Sequence, residues 1–172
     1  MVKIVLVGYM AVGKSTIGEI LAEKLKIAFI DLDKIIEKNE NLSVSEIFAK
    51  HGEIYFRKKE HLEFKKWLTC PDSLVIATGG GTPCYANNHL FLNGDGVTSF
   101  YLKASIPMLY ERLLSERGSR PLVDGKSEDE LKEFIAKHLF DRSYFYHQAT
   151  HNVMIDGKSA EVIVEEILQL LN

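Results

Sequence analysis

The stretch Ile4-Val5-Leu6-Val7-Gly8-Tyr9-Met10-Ala11-Val12-Gly13-Lys14-Ser15-Thr16 contains the full pattern G-x-x-x-x-G-K-[ST] from Gly8 to Ser15. An apolar run that reads as a buried strand precedes it, and Ile17, Ile20, Leu21 and Leu25 follow at helical spacing. Strand before and helix after is the setting in which such a loop cradles phosphates. Backbone N–H groups and the positive helix end face the anion, Lys14 reaches the β and γ oxygens, and the Ser15 hydroxyl can bind Mg²⁺.

Outward from this loop, short apolar runs alternate with longer helical patterns. Ile27 to Ile30, Leu74 to Ala77, Val97 to Leu102 and Asn152 to Ile155 join Ile4 to Val7 as expected strands, several of them apolar on both faces as buried parallel strands are. Ser43-Val44-Ser45-Glu46 is a capping box that opens a helix ending near Gly52. Further helices are expected from Tyr55 to Leu68, Pro107 to Glu116, Ser127 to about Tyr146, and Ala160 to Leu171. Strand and helix in alternation predict an α/β three-layer sandwich around a five-stranded parallel sheet. In such sheets ligands bind beyond the carboxyl ends of the strands, so the residues just after each strand carry the functional reading.

Composition narrows the classes of function. The chain has 172 residues, 46% hydrophobic and 26% charged, without a repeat or linker, and a single domain spanning 1–172 is expected. Its 21 Lys+Arg against 24 Asp+Glu leave a formal charge of -3, which supplies no field for gripping nucleic acid or an anionic membrane. No run approaches the ~20 apolar residues of a membrane span. The apolar run after Met1-Val2-Lys3 breaks at Gly8 without a small-residue cleavage site, so no signal peptide is read there. Cys70 and Cys84 form neither a CxxC motif nor a disulfide framework and fit free thiols in a reducing cytoplasm. A monomer is expected.

After the second strand come Asp31-Leu32-Asp33, two carboxylates that strand alternation would aim the same way. One could assist Mg²⁺ while the other accepts a hydrogen bond from an incoming hydroxyl. Alternatively, Asp33 caps the next helix. After the third strand, Thr78 leads to Gly79-Gly80-Gly81, where a backbone could approach a ligand closely. Only five arginines occur, Arg57, Arg112, Arg117, Arg120 and Arg142, and their planar forks suit carboxylate or phosphate. Arg117-Gly118-Ser119-Arg120-Pro121 reads either as a basic loop that closes over phosphates or as an ordinary helix connection.

With these motifs in their order, the sequence resembles shikimate kinases over essentially its whole length. The resemblance rests on Gly8 to Thr16, Asp31-Leu32-Asp33, Phe56-Arg57, Gly79-Gly80-Gly81, Arg120-Pro121-Leu122 and Arg142-Ser143-Tyr144-Phe145-Tyr146. It implies a nucleoside monophosphate kinase-like fold with strand order 2-3-1-4-5. It also implies ATP-dependent phosphorylation of the shikimate 3-hydroxyl, giving shikimate 3-phosphate and ADP in aromatic amino acid synthesis through chorismate.

Gly8, Ala11, Val12, Gly13, Lys14, Ser15 and Thr16 would then bind ATP, with Arg112 against the adenine. Ser15 would hold Mg²⁺ directly and Asp31 through water. Asp33 would bind the shikimate hydroxyls and orient or deprotonate the attacking one. Arg57 and Arg142 would hold the carboxylate, and Gly79, Gly80 and Gly81 would line the site, Gly80 through its N–H. Arg120 would close on the transferred group. The acceptor region would span about residues 33–61 and a lid about 113–127. Lys14, Asp33 and Arg120 would be the catalytic set. Ala11 departs from the glycine common in the family, and its methyl bears on nucleotide affinity.

Other features are assigned to packing. His147 and His151, four apart, find no acidic or cysteine partner to complete a zinc site. Phe140, Tyr144, Phe145 and Tyr146 read as packing at helical spacing, Trp67 as core or rim, and Cys84 as a small packing residue. A gluconate kinase would also take a carboxylate acceptor at similar length, but the glycine triplet and the Arg142 to Tyr146 stretch argue against it. A nucleotide-switch module would leave Asp33 and Arg57 idle, and no N-K-x-D motif is present.

Overall fold

The computed structural model describes residues 1–116 and 124–172. Strand β1 is Lys3–Val7, β2 Ala28–Asp31, β3 Leu74–Ala77, β4 Val97–Lys103 and β5 His151–Met154. Helix α1 is Lys14–Leu25, α2 Leu32–Glu40, α3 Val44–His51, α4 Glu53–Thr69, α5 Ile106–Ser115, α6 Glu128–Tyr146 and α7 Ala160–Leu170. The five strands form one sheet in the order β2-β3-β1-β4-β5, every pairing parallel. Both the sheet and its order agree with the sequence reading. Two short 3₁₀ segments, Thr82–Cys84 and Asn88–Asn93, lie between β3 and β4 and carry no periodicity that would have disclosed them.

Apolar content decides which strand sits where. Every residue of β1 and β3 is buried, so helices cover the sheet on both faces there, whereas β2 and β5 are partly exposed at the edges. Lys3, only 4% exposed, is accommodated because its ammonium donates to the carbonyl of Cys70 at 2.8 Å and to that of Asp72. A second apolar cluster of Ile36, Ile47 and Phe56, joined by Val44, Phe48 and Tyr55, ties α2, α3 and α4 into a separate block beside the sheet.

The helix starts differ in a way that bears on function. Ser43, Ser105, Ser127 and Ser159 cap α3, α5, α6 and α7 with their side chains. Helix α1 starts after Gly13, with φ of 91°, and has neither a side-chain cap nor an acidic residue in its first turn. Its leading amides are therefore left for an anion.

Candidate active site

A cleft of about 580 Å³ opens at the carboxyl ends of β1, β2 and β3. Ala11, Gly13, Lys14, Ser15 and Thr16 line it from the loop after β1, Asp31 and Asp33 from the end of β2, Arg57 from α4, Gly79 to Gly81 after β3, and Arg112 and Arg142 from α5 and α6. Residues up to 132 positions apart in the chain, Met10 and Arg142, thus face one space. Gly8 and Val12 are buried behind the loop and do not line the cleft. Arg120 lies outside the described residues.

At the phosphate-loop end, the Lys14 ammonium donates to the carbonyls of Gly8 at 2.8 Å and Tyr9 at 2.9 Å. These contacts hold it over the loop. The Ser15 hydroxyl donates to Asp31 Oδ2 at 2.5 Å, while Asp31 Oδ1 accepts the Lys34 amide at 3.2 Å. Two oxygen donors side by side beside a phosphate loop suit a hard cation such as Mg²⁺. Ala11 has a φ of 65°, in the left-handed region, and its carbonyl accepts a bond from Arg112 Nη1 at 3.0 Å.

The Asp31–Asp33 pair corrects one expectation. Strand β2 stops at Asp31 and α2 begins at Leu32, so alternation does not relate the two carboxylates; the strand-to-helix corner brings both to the cleft. The corner also resolves the capping alternative, because Asp31 is the cap of α2 and Asp33 stands inside the first turn. Burial, with the negative charges of Glu60 and Asp31 beside it and Lys14 opposing them, pushes the Asp33 carboxyl up to about 6. A carboxylate of that strength is suited to take a proton near neutral pH.

At the other end, Arg57 is held on several sides. Its Nη1 donates to Glu60 Oε2 at 2.8 Å, its Nε to Glu53 Oε1 at 3.4 Å, and its guanidinium lies 4.1 Å from the centre of the Tyr85 ring. Glu60 is fully buried and also accepts from the Thr82 hydroxyl at 2.6 Å. Sequence reasoning missed Glu60. Its spacing three residues after Arg57 was the available signal, but on a helix that spacing reads first as a surface ion pair.

The same groups explain the glycine triplet, and differently from expectation. A Cβ on Gly81 would stand 2.6 Å from Arg57 Nη2, and one on Gly79 would stand 2.8 Å from Glu60 Oε1 and 3.0 Å from Asp33 Oδ1. Glycine is required there to make room for the protein's own charged side chains. Only at Gly80 are the neighbours at ordinary distances, 3.4 Å to the Met10 amide and 3.5 Å to Arg142 Nη1.

The remaining sequence readings separate cleanly. Helix α6 ends at Tyr146 and His151 opens β5, so His147 and His151 share no helix face, and among the described residues no group of three or more His, Cys, Asp or Glu side chains is placed to hold a metal. Tyr146 is buried and donates to the Gly80 carbonyl at 2.5 Å. Phe140 and Tyr144, expected to pack, are 82% and 63% exposed, because they occupy the outer side of α6. Trp67 packs against the core rim, with Nε1 donating to Glu63 Oε2 at 3.1 Å. Burial pushes the Cys84 thiol up to about 11, which leaves it protonated and unreactive at neutral pH. No helix among the described residues is long and apolar enough to cross a membrane.

Comparison with known proteins bears on the whole chain. The family model described as shikimate kinase matches residues 10–172. A shikimate kinase of Flavobacterium johnsoniae is 54% identical over 171 residues, covering 99% of both chains. The crystal structure of a shikimate kinase from Bacteroides thetaiotaomicron superposes with a TM-score of 0.90 at 36% identity, covering 99% of this chain and 98% of that one. A shikimate kinase from Acinetobacter baumannii in complex with shikimate superposes with a TM-score of 0.87 at 29% identity, covering 99% and 93%.

Proposed function

The chain belongs to the shikimate kinase family and is a kinase of shikimate, and from that premise we propose which residues carry the reaction and what each does. The observation that carries the assignment is the meeting, in one cleft, of an uncapped phosphate loop, a weakened carboxylic acid at Asp33 and two arginine side chains.

ATP binds with its phosphates on Gly8 and on Ala11 to Thr16, Lys14 leaving its loop carbonyls for the β and γ oxygens. Arg112 flanks the adenine. The shikimate carboxylate lies between Arg57 and Arg142 and takes the Gly80 N–H. A neutral acceptor would leave both guanidinium groups without their ligand, which selects for an acid.

Asp33 accepts the proton of the 3-hydroxyl as its oxygen attacks the γ-phosphorus and the bond to the β–γ bridging oxygen breaks. Shikimate 3-phosphate and ADP result, with the proton left on Asp33. Glu60, by raising the basicity of Asp33 and holding Arg57, serves both halves of the acceptor site. Ser15 and Asp31 would hold Mg²⁺, Asp31 through water. When bound, the ion would neutralise charge on the β and γ oxygens.

The lid role of about 113–127, and of Arg120 within it, rests on the family motif. We place the acceptor region of about 33–61 within the α2–α4 block, whose own apolar cluster supports treating it as a unit. We assign the enzyme to the cytoplasm as a monomer; unpaired Cys70 and Cys84 suit a reducing compartment.

With MgATP, the purified protein is expected to release ADP on addition of shikimate and not of gluconate, followed in a coupled spectrophotometric assay. The reverse pattern would overturn the substrate assignment.

A further inference from the structure

Tyr9 belongs to the phosphate loop, yet its side chain turns away from the nucleotide end. It is 1% exposed, its hydroxyl pairs with His138 Nδ1 at 3.1 Å, and the Arg142 guanidinium carbon lies 5.8 Å from the centre of its ring. His138, Arg142 and Tyr146 follow one another at four-residue intervals on α6 and so share a face. The first grips Tyr9, the second enters the cleft, and the third holds the Gly80 carbonyl. One face of α6 thereby ties together both loops of the site.

Arg142 differs from Arg57 in what supports it. Arg57 has the carboxylates of Glu60 and Glu53, whereas Arg142 forms no ion pair among the described residues. An aromatic face attracts a guanidinium without neutralising it, and the Tyr146 hydroxyl, which accepts a hydrogen bond from Arg142, is likewise a neutral partner, so the charge of Arg142 is left for an incoming anion. Burial and the charge of Arg142 hold His138 below the usual imidazole range. It is therefore neutral near pH 7, and its Nδ1 can accept the Tyr9 hydroxyl.

We propose that Tyr9, held by His138, is a positioning residue for Arg142, carrying the acceptor-binding arginine on a residue of the nucleotide loop. The proposal rests on the reading that Arg142 holds the substrate carboxylate. Its role is indirect: Tyr9 and His138 fix where the guanidinium waits and touch neither substrate.

The test measures KM for shikimate and KM for ATP separately in a set of variants, each first shown to be folded by its thermal melt. Tyr9→Phe and His138→Leu each remove the same hydrogen bond and are expected to raise the shikimate KM about threefold to tenfold while the ATP KM stays within about twofold. His138→Gln offers an amide oxygen to the same hydroxyl and is expected to keep the shikimate KM near the parent value. Combining Tyr9→Phe with His138→Leu should cost no more than the worse single change. In an Arg142→Ala background Tyr9→Phe should add nothing.

Rise of both KM values in step, equal loss in His138→Gln and His138→Leu, additivity of the pair, or no movement at all would each overturn the proposal. An unchanged shikimate KM in Arg142→Ala would instead remove the carboxylate reading beneath it. A raised KM in Arg142→Ala with silent Tyr9 variants would sink the positioning role alone.

Discussion

The nucleotide end of the cleft is made from residues 8–16, a loop and the helix start that follows it, with Lys14 resting on the loop's own carbonyls. At the acceptor end, side chains from α2, α4 and α6 converge on the glycine loop, and charged groups crowd so closely that Gly79 and Gly81 have no room for a Cβ. Main-chain amides in a short loop bind an anion with little cost to stability. Placing Asp33 and Glu60 together in a buried space is unfavourable by itself, and on the proposed mechanism that cost is offset by a stronger base for the acceptor hydroxyl. Removing a buried acid at the acceptor end should therefore raise stability while it lowers turnover, whereas removing an arginine there, or changing the nucleotide end, should not.

Asp33→Asn is the most severe way to probe that contrast. Turnover should fall about 10²- to 10⁴-fold, the range over which a positioned base acts. The ATP KM should stay close to the parent value. Stability should rise, with the following sign. The Asp33 carboxyl is raised from 3.8 to about 6 on folding, so between those values the folded protein holds a proton that the unfolded chain has lost. The parent protein therefore loses stability as pH rises through this window, by about 3 kcal/mol at most. The Asn variant lacks this dependence and should melt higher at neutral pH. Parent kcat/KM should fall on the acid side with an apparent pKa near 6, the value of the free carboxyl. Melting curves from acid to neutral pH that are parallel for parent and variant would break the comparison.

Arg57→Ala separates binding from folding within the acceptor end. Losing charge-assisted bonds to the carboxylate should raise the shikimate KM by about 10- to 100-fold. The same change strips fully buried Glu60 of its cation, costing about 3 kcal/mol or more of stability. Adding Glu60→Gln should restore much of the melting temperature and none of the substrate affinity. Arg142→Ala, which strands no carboxylate, should raise KM with little effect on the melt. If the melt fell as far in Arg142→Ala as in Arg57→Ala, the two arginines would not be supported differently.

How much of this was legible in the sequence follows the same division. Wherever one short segment carries the whole signal, pattern sufficed: the phosphate loop, the strands β1 and β3, and the capping box at Ser43 all stand where spacing put them. The candidate residues at the acceptor end could be named because their motifs resemble a family's, but their partners could not. Tyr85, His138 and Tyr146 act across 28 to 129 positions of chain, and no local period encodes such a contact; Glu60 stands three residues from Arg57, but its burial depends on Thr82, 22 positions away. Asp31 and Asp33 were read as one alternating strand because a strand and a helix that abut without a loop leave no turn residue to mark the change. Exposure of Phe140 was equally hidden, since helical spacing tells which residues share a face and not which face has a neighbour.

The smallest expected effect lies at the nucleotide end, at Ala11. With φ of 65° it occupies a region where an alanine methyl crowds the backbone, at a cost of about 1 kcal/mol that glycine avoids. Glycine in turn frees the unfolded chain, which offsets about 0.5 to 1 kcal/mol of that gain. The melting temperature of Ala11→Gly should accordingly move by no more than a few degrees, upward if at all. Because Ala11 lines the cleft and its carbonyl is the acceptor for Arg112, the change should lower the ATP KM by about twofold to threefold, measured with shikimate saturating. The shikimate KM should not move, since Tyr9, two positions earlier, keeps its contacts to α6. A parallel shift in both KM values would mean that the loop and the acceptor pocket respond as one unit, and that nucleotide binding already orders the acid site before the acceptor arrives.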